Sequence, residues 1–298
     1  MRRILIAVFV ILVAWIALKD WAYSAILGEA DITPEAPDYF YDDVWLERPE
    51  EQPPGGWKEP WGVDLLVIAP PVSSPARKGL VPAGSELLEQ DYTRFMEATG
   101  LAGAEMTIYA PGYRSPSPGA SENARKKQLL QSQTDLKAAL KRYMSADNRV
   151  RGLVILAAPD TQPLAESLLK ALPEDADFRD RFGGVVLSAG ESAEEWEPVI
   201  QSCSPAFESC VMESGIVGTP QALAWLLPSQ PYKKRTYRID GDATKAIETR
   251  MESLSNWLDL NATKPAEPFD SWAADEVVDV VPIIRPNGEE DISGERGD

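Results

Sequence analysis

Histidine is absent from all 298 residues. A serine hydrolase, or an enzyme that hydrolyses an aspartyl ester, needs a base that changes charge near neutral pH, and imidazole is the usual one. No triad of the ordinary kind can be assembled from this chain. Cysteine is nearly as scarce: Cys203 and Cys210 stand with six residues between them in Ser-Cys-Ser-Pro-Ala-Phe-Glu-Ser-Cys. In an oxidising compartment that spacing suits a disulfide closing a small loop, and two free buried thiols are the alternative. No further ligands accompany them, so neither a metal nor a cofactor is expected. Basic residues also run short, 29 against 47 acidic ones, a net charge of −18. So acidic a surface repels nucleic acid and anionic lipid headgroups rather than binding them through its field, and solubility alone accounts for it.

Long apolar runs are missing except at the start. Met1-Arg2-Arg3 precedes fifteen uninterrupted apolar residues, Ile4 to Leu18, with Lys19, Asp20, Trp21 and Tyr23 behind them. Fifteen is short for a membrane span and fits a signal-peptide core, yet interfacial tryptophan and tyrosine extend the buried length. Ala22 to Ala25 is a weak cleavage site, which favours an uncleaved signal anchor over 1–25. Arg2 and Arg3 place the N-terminus in the cytoplasm and send the rest of the chain across, into the periplasm of a bacterium. Without 1–25 the balance is 26 bases to 46 acids, a net charge of −20.

What the chain does have is a buried strand leading into a helix. From Arg151, Gly-Leu-Val-Ile-Leu-Ala-Ala is apolar over the length of a strand covered on both faces and is too short for a helix. After Pro159, Asp160 or Thr161 can cap a helix with Pro163 in its first turn and Leu164, Leu168, Leu169 and Leu172 on one face. A strand turning sharply into a helix is where α/β-hydrolases place a Gly-x-Ser-x-Gly nucleophile. Here that slot reads Ala158-Pro159-Asp160-Thr161-Gln162, with an acid for the serine and glutamine for the second glycine.

Around this stretch the chain alternates strand and helix. Residues 26–62 are acidic, rich in proline and carry Tyr39, Phe40, Tyr41, Trp45, Trp57 and Trp61, too many rings for a free linker, so this segment is expected to wrap over the domain. Strands are expected at Val63–Ala69, Ala104–Tyr109 and Gly184–Ala189, and helices at Ser85–Thr99, Ser121–Ala146, Pro220–Leu227 and Thr244–Leu260. In the long helix Leu129, Leu130, Leu136, Leu140, Tyr143 and Met144 are read as inward, with bases outward. The turn-rich loop Ala110–Gly119 follows a strand, on the side where open α/β sheets bind ligands. The expected fold is α/β, with a mostly parallel sheet, helices on both faces and one N-terminal anchor helix. The α/β domain covers 63–285, and 286–298 is an acidic tail.

Several segments together resemble a bacterial family of α/β-hydrolase-like proteins of unknown function, often membrane-anchored, with a Tyr-Ala-Pro-x-Tyr-Arg-Gln segment, a Gly-His-Ser-Gln-Gly elbow and a Cys-x6-Cys loop. Tyr109-Ala-Pro-Gly-Tyr-Arg114-Ser115 looks like the first, Ala158 to Gln162 occupies the second, and Cys203 to Cys210 matches the third. Asp38-Tyr39 through Trp45 to Pro49, with Trp57, looks like its lead-in. The departures fall on the chemistry. Ala69 stands where the family has a histidine at a strand end, Pro159 and Asp160 replace the elbow's histidine and serine, and Asp240-Gly-Asp242 is the nearest polar cluster where a late histidine belongs. The resemblance therefore implies the fold without the esterase or lipase activity.

Three candidates remain. Asp160 is either a nucleophile, as in dehalogenases, or a helix cap. Arg114, beside Tyr113, is either a ligand for a carboxylate, phosphate or sugar in a vestigial cleft or the partner of a local acid pinning its loop. Ser188 sits at a strand end, where a turn explains it as well as catalysis does. The expected function is a membrane-anchored periplasmic pseudohydrolase that binds an envelope protein or small ligand without turnover. The alternatives are an atypical hydrolase using Asp160 or Ser188 with an acid or lysine as base, and a structural subunit of an envelope complex.

Overall fold

The computed structural model describes residues 33–50, 62–73, 79–148, 150–158, 160–187, 202–213 and 243–262, together with Val8, Ile11, Ala14 and Leu18. Contacts divide the chain into two units, Met1–Ala262 and Thr263–Asp298, and every described element belongs to the first. Strand β1 is Trp45–Glu47, β2 Val63–Ile68, β3 Thr107–Pro111, β4 Gly152–Ala157, β5 Phe182–Leu187 and β6 Val211–Glu213. They form one sheet in the order β1-β3-β2-β4-β5-β6. All neighbours run parallel except β1, which pairs antiparallel with β3 and covers that edge. The mostly parallel α/β architecture read from the sequence is thus present.

The apolar runs explain the centre. Every residue of β2, β4 and β5 is buried, as a strand packed on both faces requires. Helix α1 is Glu86–Thr99, α2 Glu122–Arg142, α3 Gln162–Leu169, α4 Ala176–Arg181 and α5 Ala243–Asn261. Ser85, Ser121 and Asp175 cap α1, α2 and α4 by accepting from backbone N–H groups one turn on. Leu254 of α5 seats over Gly152 and Gly183, where an added Cβ would lie 2.9 and 3.0 Å from its Cδ2. The helix approaches the sheet through that gap.

Differences from the sequence reading have local causes. β3 starts three residues late because Gly103, at φ 77°, and the Met106 to Ala104 hydrogen bond make a turn first. β5 starts two residues early, its two glycines lying inside the strand rather than breaking it. Leu130 is a correction: it is 63% exposed, since the inward face of α2 is set by Gln128, Ser132, Asp135, Leu136, Ala139 and Leu140. Strands β1 and β6 are three residues each, too short to show a period, and α4 also went unread. In the lead-in Tyr39 and Trp45 are buried, while Phe40 and Tyr41 are exposed.

The expected anchor, 1–25, lies outside the described residues apart from Val8, Ile11, Ala14 and Leu18, which are helical and exposed. Among the described residues no helix is long and apolar enough to cross a membrane. Trp57, Trp61, the helix at 220–227, Asp240, Asp242 and the tail also lie outside them.

One charged group sits inside the sheet. Asp64 in β2 is fully buried and accepts hydrogen bonds from Arg151 Nε at 2.6 Å, Tyr143 Oη at 2.9 Å and Asn148 Nδ2 at 3.1 Å. Burial pushes its carboxyl up, and the charge and hydrogen bond of Arg151 pull it back. A single π-turn, Tyr143–Asp147, continues α2 and brings Tyr143 and Asn148 to the same carboxylate. Arg181 of α4 closes the group, donating to Asn148 Oδ1 and the Arg151 carbonyl.

Cys203 and Cys210 are joined in a disulfide. The loop it closes is hydrogen-bonded to β5 at both ends, Ser204 N to the Phe182 carbonyl and Val185 N to the Cys210 carbonyl. Arg250 of α5 donates to the carbonyls of Gly183 and Ser209 and lies 3.9 Å over the Phe207 ring; burial pushes its guanidinium down to about 10.

Two outcomes follow. Arg151→Met, which strands a buried carboxylate, lowers the unfolding free energy by about 3–5 kcal/mol, and Asp64→Asn added to it costs far less than the sum of the single changes, measured by urea denaturation as a double-mutant cycle. Reducing the disulfide costs about 2–3 kcal/mol for so short a loop, read from the shift in denaturation midpoint with and without reductant.

Candidate functional site

Taken along the chain, the five parallel strands stand in the order second, first, third, fourth, fifth. The connections reverse direction between β2 and β4, and in open α/β sheets ligands bind beyond the carboxyl ends of the strands at that point. Three segments meet there: residues 69–73 after β2, 112–117 after β3, and Ala158, Asp160 and Thr161 after β4.

The segment after β4 carries the sharpest feature. Ala158 N still donates to the Ile68 carbonyl, continuing the ladder. The chain then turns within three residues into α3. Thr161, fully buried, holds the turn by donating both its N–H, at 3.3 Å, and its hydroxyl, at 2.6 Å, to the Ala158 carbonyl. Thr161 is the N-cap residue of α3, but its hydroxyl faces back rather than capping the helix. Between them Asp160 takes φ 63°, the only positive φ of a non-glycine residue among the described residues, with its side chain exposed. Left-handed backbone costs an ordinary L-residue about 1–2 kcal/mol, and aspartate is among the side chains that tolerate it best.

The segment after β3 is buried throughout, from Pro111 to Pro118, which is unusual for a connection at a strand end. Its polar groups find partners within the protein. Tyr113 Oη donates to the Ala69 carbonyl at 2.9 Å. Arg114 forks onto Asp135 of α2 through Nε at 2.9 Å and Nη2 at 2.7 Å, and its Nη1 donates to the Pro34 carbonyl. Hydrogen bonding to Asp135 holds its guanidinium above the ordinary arginine range. Ser115 exchanges two backbone hydrogen bonds with Val81, and its hydroxyl accepts from Val72 N. Gly112 is required here, because a Cβ would fall 2.6 and 2.7 Å from the Val44 and Ala83 carbonyl oxygens. After β2, Ser73 is held by Asp91 of α1 through its N–H and hydroxyl.

The geometry brings Asp160, Tyr113 and Arg114 to the same end of the sheet but gives them different settings. Asp160 faces solvent at a strained turn; Tyr113 and Arg114 lock the adjacent loop against Ala69, Asp135 and the lead-in. Ser188 lies outside the described residues. Among the described residues no group of three histidine, cysteine, aspartate or glutamate side chains could hold a metal ion. Asp135 and Ser115 were missed by sequence reading. Asp135 had a signal, an acid on the inward face of an amphipathic helix, which demands a cation; Ser115 had none.

No protein-family model matches this chain, and no curated protein matches its sequence.

The backbone at Asp160 has a direct test. Asp160→Gly leaves stability unchanged or raises it by up to about 1 kcal/mol, whereas Asp160→Val lowers it by about 1–2 kcal/mol, measured by chemical denaturation of the two variants side by side.

Proposed function

We propose that this chain is a pseudohydrolase: an α/β-hydrolase-like scaffold that binds a small ligand or an envelope protein at the carboxyl end of its sheet and turns nothing over. The observation that carries this reading is the positive φ of Asp160 in the turn from β4 to α3. That is the strained elbow in which such enzymes present a nucleophile, and here it presents an acid. Histidine, which would activate a serine there or hydrolyse an aspartyl ester, does not occur in the sequence. The N–H after the nucleophile position, normally an oxyanion donor, is that of Thr161 and is directed at the Ala158 carbonyl. Tyr113 and Arg114 are assigned to shaping the binding edge: they hold the β3 loop, and Asp160 is the group presented to a ligand.

Arg2, Arg3 and the apolar run at 4–18 support a single-pass anchor in a bacterial inner membrane, with the α/β domain in the periplasm. The helical positions Val8, Ile11 and Leu18 are more than half exposed, as lipid-facing residues of an anchor would be.

Assayed on short-chain esters and on phospholipids, the purified protein shows no turnover above the uncatalysed rate, and Asp160→Ala behaves identically. Hydrolysis by the wild type that is abolished in Asp160→Ala overturns the reading in favour of an atypical hydrolase. A single stoichiometric partner in a crosslinked pull-down, retained by Asp160→Ala, assigns the chain instead to a structural part of an envelope complex.

A further inference from the structure

Helix α2 departs from the charge of the chain that carries it. Its 21 residues include Arg125, Lys126, Lys127, Lys137, Lys141 and Arg142 against two acids, in a protein of net charge −18. Of those acids, Glu122 pairs with Lys126 at the first turn and Asp135 is buried on Arg114. Lys127, Leu130, Thr134, Lys137 and Lys141 are all exposed and recur at spacings of three and four, so they line one stripe covering roughly a quarter of the helix circumference. Leu130, 63% exposed, stands in it between Lys127 and Lys137. On the adjoining helix α3 the one acid, Glu166, is engaged by Gln162 and Lys170.

We propose that this stripe rests on anionic lipid headgroups and fixes the orientation of the domain on its own membrane. The proposal rests on the reading of 1–25 as an anchor, which keeps a bilayer permanently within reach. Net charge is a poor guide at that range. Screening confines electrostatic attraction to about 8 Å at physiological ionic strength, while a domain of this size is about 40 Å across, so a bilayer meets the face it touches and not the summed charge. A cationic stripe matches phosphate-bearing headgroups in sign, and each lysine held at such a surface favours contact by about fivefold. The exposed leucine among the lysines suits an interface in which a side chain enters the headgroup layer. The acidic remainder is repelled from the same surface, which makes the α2-down orientation the favoured one.

The full-length protein is reconstituted into vesicles of phosphatidylcholine alone and of phosphatidylcholine with phosphatidylglycerol, and acylation of each lysine by an amine-reactive reagent is followed by mass spectrometry, with Lys245 of α5 as internal reference. The expected result is labelling of Lys126, Lys127, Lys137 and Lys141 slowed about tenfold in the anionic vesicles only, relieved by high salt, with protection of Lys126 and Lys127 lost in Lys137→Glu/Lys141→Glu. If the protein floats with both kinds of vesicle and labels at equal rates, the orientation proposal is overturned while the anchor stands. If it floats with neither, the anchor reading falls and this proposal with it. Protection that appears without vesicles and grows with protein concentration replaces the lipid with a second copy of the chain, and likewise overturns the proposal.

Discussion

A carboxylate cannot be left alone in the middle of a parallel sheet. Asp64 lies in a strand buried on both faces, and an uncompensated charge there costs several kcal/mol. Its compensation is gathered from three other parts of the chain: Arg151 at the entry to β4, Tyr143 and Asn148 from the π-turn after α2, and through Asn148 and Arg151 the guanidinium of Arg181 on α4. Those partners sit at the amino ends of the strands, away from the end where ligands bind in folds of this kind. The network therefore sets how α2, β4 and α4 meet the sheet and leaves the opposite end free for a site. A buried ion pair adds little net stability compared with an apolar pair of the same shape; here its effect is to make one arrangement of four segments far better than any other.

The opposite end repeats the device at the Arg114–Asp135 pair, with a different result. There the paired groups close a loop over strand ends that would otherwise be open, and Tyr113 and Ser115 tie that loop to the segments after β2 and before α1. Among the described residues of the segments that meet there, Asp160 is the exposed one. The result is a rigid surround with one acid held at a strained turn, a preorganised arrangement in which little side-chain or loop freedom is left to lose.

Much of the fold was legible because its central strands are long apolar runs and its helices have caps and amphipathic periods. Leu153 to Ala158 could be recognised as a two-sided strand from those residues alone, and Ser85 and Ser121 marked helix starts. Three things hid the rest. Strands of three residues, such as Val211–Glu213, carry no period. Gly183 was left outside the strand expected from Gly184, although the strand needs it to admit Leu254. Leu130 was placed inside because leucine usually is, whereas Gln128, Ser132 and Asp135 take the inward positions through hydrogen bonds that no hydropathy pattern displays. At the candidate site the sequence marked Asp160 by its place after a strand and offered a local acid as one partner for Arg114, but did not show that the Asp160 backbone is left-handed or that the acid is Asp135.

The pairing of β1 with β3 bears on how the chain reaches its final form. Trp45–Glu47 leaves the ribosome well before Thr107–Pro111, its strand partner, and in between comes β2, which does not pair with it. During synthesis the first-made strand must wait, uncommitted, for some sixty residues of later sequence, with Tyr39 and Trp45 still without the core they pack into. The order of synthesis thus obliges the lead-in either to be sheltered or to be the last piece laid down, closing the sheet from its edge.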